Sequence, residues 1–381
     1  MNLKTTLSNT LNKFKTDKKS RIMVVSIIVI ILVIFIFVSI SINNHRIQIQ
    51  NEQAKQVEIE RQIQEEQIRL EKVKEEYSDL CKKYNDAVDT YNQSITNVNS
   101  FIDKISKYNL VQVSESFTEK DYINEDFNLF HEKGDDFSSI EQEIETIKAE
   151  TDAIDNEYYS VCKIAYKAAI NNYNVLAKEY NYLTCHSSIE YISDMPQKAS
   201  IKKSTTFDIN NRDFSEEELL NVIAGISDET NQLIPYYLVI SQITAPSEKW
   251  VIQRIKNISS IKSIMAVTPD NDPNGLLGKD GGYISCIYFS IDSIDQNSVK
   301  GSTIIEKGTD AGGAIEIYST IEAALNRCDY LSQFDNTLLY SGSYTVVGTM
   351  VVRTSYQLSN QNQVTLTDQI VQVLTEIQNQ E

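Results

Sequence analysis

The chain has 381 residues, 41% of them hydrophobic, which suits two or three structural units and excludes disorder throughout. The formal net charge is −18, but positions 1–21 carry +5, so everything after residue 42 carries −23. An exterior this acidic repels the phosphates of nucleic acids, and we therefore expect no nucleic-acid partner.

The first predicted element is a membrane span at residues 22–42, a run of 21 positions without a charge. At ~1.5 Å per residue such a helix covers the ~30 Å of a bilayer's hydrocarbon core. A cleaved signal peptide is the alternative, although its apolar core is ordinarily ~7–15 residues long and a small-x-small cleavage site follows it. Basic residues precede the span, so the positive-inside rule predicts a cytoplasmic tail at 1–21 and an extracytoplasmic location for residues 43–381. The expected localisation is the cell membrane, as a single-pass signal-anchor protein.

Residues 43–184 are predicted to form a helical coiled-coil stalk. A spacing of three and four residues, sustained over many turns, is typical of helices that pack lengthwise. The first helix, 43–108, repeats Ile63, Leu70, Tyr77, Tyr84, Tyr91, Val98 and Ile105, with a companion position at Ile59, Glu66, Val73, Leu80, Ala87, Ser94 and Phe101. The second, 137–184, repeats Ile140, Ile147, Ile154, Val161, Ala168, Val175 and Tyr182.

Two arrangements of this stalk are open. One is an antiparallel hairpin that reverses through residues 109–136. The other is a parallel homodimeric coiled coil through the first helix, which would make the protein a homo-oligomer. Glu66 and Ser94 interrupt the seam and favour a bundle over a tight two-stranded zipper.

Tyr-Asn pairs occur seven residues apart in two loose copies, YNDAVDTYN at 84–92 and YNVLAKEYN at 173–181. We interpret the tyrosines as packing residues, because the ring buries area while the hydroxyl reaches water or a neighbouring helix. The asparagines are then solvated, and an aromatic array for a ligand is the alternative. The YNDAVDTYNQSI run behind a membrane anchor resembles the Tyr-Asn helix of LemA-type envelope proteins of bacteria, without the proline that usually follows in that family.

Residues 185–214 lose the heptads and are predicted to be a linker. Residues 215–381 are predicted to form a mixed α+β domain. A capping box at Ser215 begins a helix that Pro235 is expected to end. Runs of β-branched and aromatic residues predict strands, with helices on one side of the sheet, at SIKSIMAVT, GGYISCIYFSI, GGAIEIYST and YTVVGTMVVRTS.

The C-terminal part also resembles an uncharacterised C-terminal module of Gram-positive surface proteins, some of them described as extracellular-matrix-binding-like. The resemblance implies an envelope location in a Gram-positive bacterium and brings no activity with it. The stretches that carry it are TAPSEKWVIQRI, AVTPDNDPNGLLGKDGGYISCIYF, GTDAGGAIEIY and SGSYTVVGTMVVRTSYQLS.

DNDPNG, residues 270–275, is a candidate calcium loop. Asp270, Asp272 and Asn274 match the first, third and fifth ligands of a calcium-type oxygen cage. The twelfth position is Gly281 where a glutamate is needed, so Asp280 or another carboxylate would have to complete the site. Asp-Pro-Asn-Gly is equally a good turn sequence without metal, and both interpretations are open.

Other candidate chemistry is sparse. The three histidines are His45, His131 and His186, so the C-terminal domain has no histidine for a catalytic triad or zinc site of its own. Glu316 and Arg353 fall on predicted strands and are expected to face solvent. Cys286 and Cys328 are predicted to be buried apolar residues.

These patterns predict a non-catalytic, membrane-anchored envelope protein whose helical stalk presents an α+β domain that binds a cell-wall component or an envelope protein. The alternative is a cell-wall-acting enzyme that uses carboxylate chemistry. Such an enzyme would need two acidic residues converging in a cleft.

Overall fold

The computed structural model describes residues 18–111, 117–124, 126–192, 194–203 and 207–377, so most of the predicted tail at 1–21 lies outside the described residues. The protein is α+β, as predicted. Its helices are α1 (Lys18–Ser106), α2 (Phe127–Glu132), α3 (Phe137–Cys185), α4 (Glu216–Ile243), α5 (Glu248–Ile255), α6 (Ile304–Lys307), α7 (Ile321–Ser332) and α8 (Asn360–Thr375). Its strands are β1 (Ile261–Ala266), β2 (Ser285–Ile291), β3 (Gly312–Ile317), β4 (Tyr344–Val347) and β5 (Met350–Thr354).

The chain forms two compact units. The first contains Met1–Asn92 and Lys120–Glu150, and the second contains Gln93–Glu119 and Thr151–Glu381. α1 and α3 therefore contribute residues to both units.

Helix α1 begins with the apolar stretch predicted to be a membrane span. Of the described helices it alone is long and apolar enough to cross a membrane, and that stretch is not buried within the protein. A signal sequence meets the same criteria of length and composition, so α1 is a candidate span. The helix continues without a break for 89 residues, which corresponds to ~130 Å.

The predicted seam of α1 changes its surroundings at Tyr77. Every seam residue from Tyr77 to Ile105 is buried, including Tyr84, Tyr91 and Phe101. Earlier seam residues are exposed, Ile59 by 54%, Ile63 by 53% and Leu70 by 38%, and Val73 just before Tyr77 is half-buried.

Consecutive long helices run in the same direction, so the predicted antiparallel hairpin is wrong. In the second unit, Tyr158 of α3 contacts Glu216 of α4, and Glu179 of α3 contacts Tyr237 of α4. The second contact lies 21 residues further along both helices, so the two helices are parallel. In the first unit, Glu143 neighbours Tyr84, and Glu150 pairs with Lys120, which Asn92 holds. Two described parts of the connecting segments, 117–124 and 194–203, run back along the preceding helix, so these parts are neither a simple turn nor a loose linker.

The buried stripe of α3 departs from the predicted heptads after Val161. Val175 and Tyr182 are exposed by 50% and 63%, whereas Tyr173 and Tyr180 are buried. A straight helix with 3.6 residues per turn drifts by ~20° per heptad, so a contact face cannot follow a strict seven-residue repeat indefinitely.

Pro235 lies inside α4 and does not end it, contrary to the prediction. Proline in a helix interior removes a hydrogen bond at a cost of about 3 kcal/mol. The helix continues because buried residues lie on both sides of the proline, Leu233 before it and Val239, Ile240 and Ile243 after it.

The five strands form one antiparallel sheet in the order β1-β2-β3-β5-β4. One face packs against α5 and α8 around Ile315 and Ile317. The other face, with Ala314 and Tyr318, packs against α7 and the loop after β1. Helices thus cover both faces of the sheet, not one as predicted, and β3 is buried along its whole length.

The turn between β4 and β5 joins the sheet to the helical region. Gly348 exchanges two backbone hydrogen bonds with Ser188, and the Thr349 amide donates to the Ile243 carbonyl at 3.1 Å. Gly348 has φ 61°, and a Cβ there would lie 2.0 Å from the Ile243 oxygen, so this close approach requires glycine.

Candidate functional site

The predicted calcium residues lie in the loop between β1 and β2, which covers one face of the sheet. Asp270 and Asp280 are exposed, while Asp272 is half-buried. Asp272 and Asn274 come together, since the backbone amide of Asn274 donates to Asp272 Oδ1 at 3.0 Å. Within the described ranges no group of three or more His, Cys, Asp or Glu is arranged to hold a metal.

The carboxylate of Asp272 is engaged by its own loop. Its Oδ2 accepts from the Leu277 amide at 2.7 Å, and its Oδ1 accepts from the Tyr283 hydroxyl as well as from Asn274. Burial alone would raise the pKa of Asp272, but these hydrogen bonds outweigh it and hold the pKa below its ordinary value. Calcium binding stays a prediction, and the ion would have to compete with these donors.

Glu316, expected to face solvent, is fully buried at the centre of an ion cluster on β3. Arg327 of α7 binds it in bidentate geometry at 2.8 and 2.9 Å, and Arg353 of β5 donates at 2.9 Å. The Tyr318 hydroxyl adds a fourth hydrogen bond at 2.9 Å. Arg353 was also expected to face solvent, and it is buried too, with its other nitrogen 2.8 Å from Ser341 Oγ. Strand alternation placed Glu316 and Arg353 on the correct face of the sheet. The expectation that they face solvent is wrong because α7 covers that face.

The electrostatics of this cluster favour an ionised Glu316. Burial would raise the pKa of Glu316, but the guanidinium groups of Arg353 and Arg327 outweigh burial and lower it. Burial and the same carboxylate raise the pKa of Tyr318. All four donors point at the carboxylate, so Glu316 fastens α7 to the sheet.

A polar recess of about 720 Å³ lies beside the end of α7. Its wall includes the Tyr344 hydroxyl, which donates to Asp335 at 2.7 Å. Leu338 and Leu339 in the same segment are both exposed, Leu338 completely. Sequence reasoning missed this site, although the apolar pair inside the polar run DNTLLYSGSY was a usable signal. The recess is lined by Asp335, Asn336, Thr337, Tyr340, Gly342, Ser343 and Tyr344.

The second Tyr-Asn motif binds an extended segment of the chain itself. We call residues 194–203 the second strap. Asn174 donates to the Lys202 carbonyl and accepts from the Lys202 amide, both at 2.8 Å. Asn181 binds both backbone groups of Ala199 in the same way, at 2.9 and 2.7 Å. The asparagines predicted to be solvated are therefore rungs that hold the strap.

The first Tyr-Asn motif does the same for residues 117–124, the first strap. Asn92 binds the carbonyl and the amide of Lys120 at 3.0 and 2.9 Å. Asn85 accepts from the Ile123 amide at 3.0 Å. Seven helical residues rise ~10.5 Å, and three residues of extended polyproline II chain span ~9.3 Å. The seven-residue spacing of the asparagines thus matches every third residue of a strap that runs antiparallel to its helix.

The lysine on each strap completes the arrangement. Lys120 lies 5.1 Å from the centre of the Tyr91 ring and pairs with Glu150 at 2.8 Å. In the second strap, Lys202 lies 5.0 Å from the Tyr173 ring and pairs with Glu229 at 2.7 Å. Each lysine is therefore held by a Tyr-Asn pair of one helix and by a glutamate of the next helix.

The two straps belong to two copies of one helix-strap-helix module. The separation of asparagine and lysine is 28 residues in both copies. The sequence likeness aligns Tyr84 with Tyr173. The lysine contacts instead align Tyr91 with Tyr173, a shift of 82 residues that places Tyr84 opposite Tyr166. The same shift relates Tyr77 to Tyr159, Tyr91 to Tyr173, Asn92 to Asn174 and Lys120 to Lys202.

Comparisons with known proteins add no relative to this picture. The chain matches no protein-family model, no curated protein and no solved structure.

Proposed function

We propose that the protein is a membrane-anchored extracytoplasmic envelope protein that binds a wall component or another protein and catalyses no reaction. Residues 22–42 are the anchor, the helix-strap modules form the stalk, and the α+β domain is the binding part. The exposed apolar stretch of α1 carries the proposal. Burying one large apolar side chain contributes about 1.5–3 kcal/mol, so ten of them in water would forgo roughly 15–30 kcal/mol. That exceeds the whole stability of a typical domain, about 5–15 kcal/mol.

Retention of the anchor is supported by the continuity of α1. The helix passes Ser39 and Ser41 without interruption, so cleavage there would cut regular helix. The basic residues before the span, against only Arg46 and Lys55 in residues 43–60, support a cytoplasmic N-terminus. Residues 43–381 then lie on the outer side.

Binding is favoured over carboxylate catalysis by the way two acids of the α+β domain are used. A general acid needs a raised pKa, and a nucleophile or base needs a free lone pair facing substrate. Glu316 accepts four hydrogen bonds and Asp272 three, and both have lowered pKa values. Both acids therefore serve the fold.

The polar recess is the surface we assign to the ligand. Its acid, amide and hydroxyl groups can exchange hydrogen bonds with the hydroxyls of a wall glycan, and its tyrosine rings offer apolar contact. In a pull-down with purified wall material, Tyr340→Ala should lose most of the binding that the wild type shows. Tyr356→Ala, an exposed tyrosine outside the recess, is the matched control. Equal binding by both variants would remove the recess from the proposal.

The anchor is tested by carbonate washing of membranes from cells that express the full chain. The wild type should stay in the pellet. The double variant Ile30→Lys, Ile34→Lys should be released, because each lysine at mid-bilayer costs about 2.5–3.5 kcal/mol. Val57→Lys with Ile68→Lys places the same charges on exposed positions outside the span and should change nothing. Release of the wild type would refute the anchor.

A further inference from the structure

The α1 seam is exposed to solvent before residue 73. Ile49, Ile59, Ile63 and Leu70 lie on the same two heptad positions that are buried from Tyr77 onward. No described element covers them, because α3 begins beside the aromatic cluster in which Tyr77 contacts Phe130 and Phe130 contacts Phe137. The seam is thus covered by other parts of the same chain from residue 77 onward, and no described element covers it before residue 73.

We infer that a second copy of this chain covers the seam between residues 42 and 76, as a parallel, in-register two-stranded coiled coil. The inference rests on the proposed anchor. Two copies inserted in one bilayer through residues 22–42 present the seam at the same height and in the same direction. Confinement to a membrane raises their effective concentration, which a partner without an anchor would lack.

The composition of the seam describes a modest interface that depends on this confinement. Within five heptads, Ile42, Ile49, Ile63 and Leu70 fill one core position, and Ile59 and Val73 fill part of the other. The remaining core places are polar: Gln56 in the first position, and His45, Glu52 and Glu66 in the second. The two glutamates face their own copies, which weakens the pairing.

The flanking charges are mixed. In a parallel dimer Lys55 opposes Glu60 of the second copy, which is attractive, and Arg69 opposes Lys74, which is repulsive. Glu58, Arg61 and Glu65, on the opposite side of the helix, pair among themselves within one helix. That side also exposes Ile47 and Ile68, but they are separated by charged residues, whereas the seam carries six apolar residues on two adjoining heptad positions.

Disulfide cross-linking of the full chain in native membranes tests this inference. The background replaces the exposed and half-buried cysteines Cys81, Cys185 and Cys328 with serine. Ile63→Cys and Leu70→Cys place single thiols in the seam. The controls Ala54→Cys and Glu75→Cys place them on the opposite side of the same helix. The seam thiols should form a dimer of twice the chain mass with at least ten times the yield of the controls.

Three results would overturn the inference. Equal yields at seam and control positions would indicate random collision, and no dimer at any position would indicate an isolated helix. An adduct of a different mass would show that another protein covers the seam. The carbonate wash separates the two proposals: membrane-retained chain without seam cross-links refutes the dimer alone, and released chain refutes the anchor.

Discussion

Replacing Asn174 with alanine tests whether the Tyr-Asn motif holds the second strap. The change removes two hydrogen bonds of 2.8 Å and leaves the half-buried Lys202 backbone without those partners. Each bond contributes about 0.5–1.5 kcal/mol, so local opening should become easier by about 1–3 kcal/mol. With 1.4 kcal/mol per factor of ten, the Lys202 amide should exchange its hydrogen roughly 5 to 150 times faster.

Amide hydrogen exchange of the full chain in detergent, read by mass spectrometry over the peptide that contains the second strap, measures this effect. Asn172→Ala is the matched control, because Asn172 is exposed on the same helix and undergoes the same chemical change. The control should exchange like the wild type. If Asn174→Ala also exchanges like the wild type, or if both variants are accelerated equally, the strap is not held by the asparagine.

Three further predictions concern the ion cluster and the first module. Glu316→Gln should lower the free energy of unfolding by about 3–5 kcal/mol because it leaves two buried guanidinium groups without a carboxylate. The control Glu322→Gln, on the exposed side of α7, should leave the free energy of unfolding unchanged. Urea titration followed by the fluorescence of the single tryptophan compares the two variants. The folded pKa values of Glu316 and Asp272 are depressed, so their contribution to stability is present at neutral pH and should be lost as the pH falls below about 4, the range of unfolded acids. Melting temperatures measured from about pH 3 to about pH 7 test this loss of stability. A melting temperature that does not change with pH would contradict it. Asn92→Ala should accelerate exchange at Lys120 and leave Lys202 unchanged, and no change at Lys120 would refute the equivalence of the modules.

Periodicity predicted the long helices well, since burial along one side of a helix leaves a regular trace. The seam residues from Tyr77 to Ile105 are buried, and the alternation of β3 is seen in the two separate apolar clusters that its alternate residues join. The direction of the helices could not be predicted in the same way. A heptad pattern is compatible with parallel and antiparallel neighbours, and the connecting segment decides between them.

The straps left little sequence signal because asparagine amides, not a periodic apolar face, hold them. Lys202 and Ala199 look like ordinary linker residues until Asn174 and Asn181 are seen to bind their backbones. The Tyr-Asn spacing was visible, but the partner lies 28 residues away in a stretch with linker composition.

The candidate sites were predicted in part. Asp272 and Asn274 do meet, within their own loop. Glu316 was misplaced because its environment depends on Arg327 of a separate helix, and strand alternation cannot show whether an outward face is covered by another element.

Thiol labelling of Cys185 in intact cells tests the central claim most directly, because Cys185 is exposed and lies in the part we place outside the membrane. A membrane-impermeant maleimide should modify Cys185 equally in intact and in lysed cells. In a chain whose Cys81, Cys185 and Cys328 are replaced with serine, Thr5→Cys should be modified only after lysis. Labelling of Cys185 only after lysis, or recovery of the chain from the medium without residues 1–42, would contradict a retained anchor with an exported body.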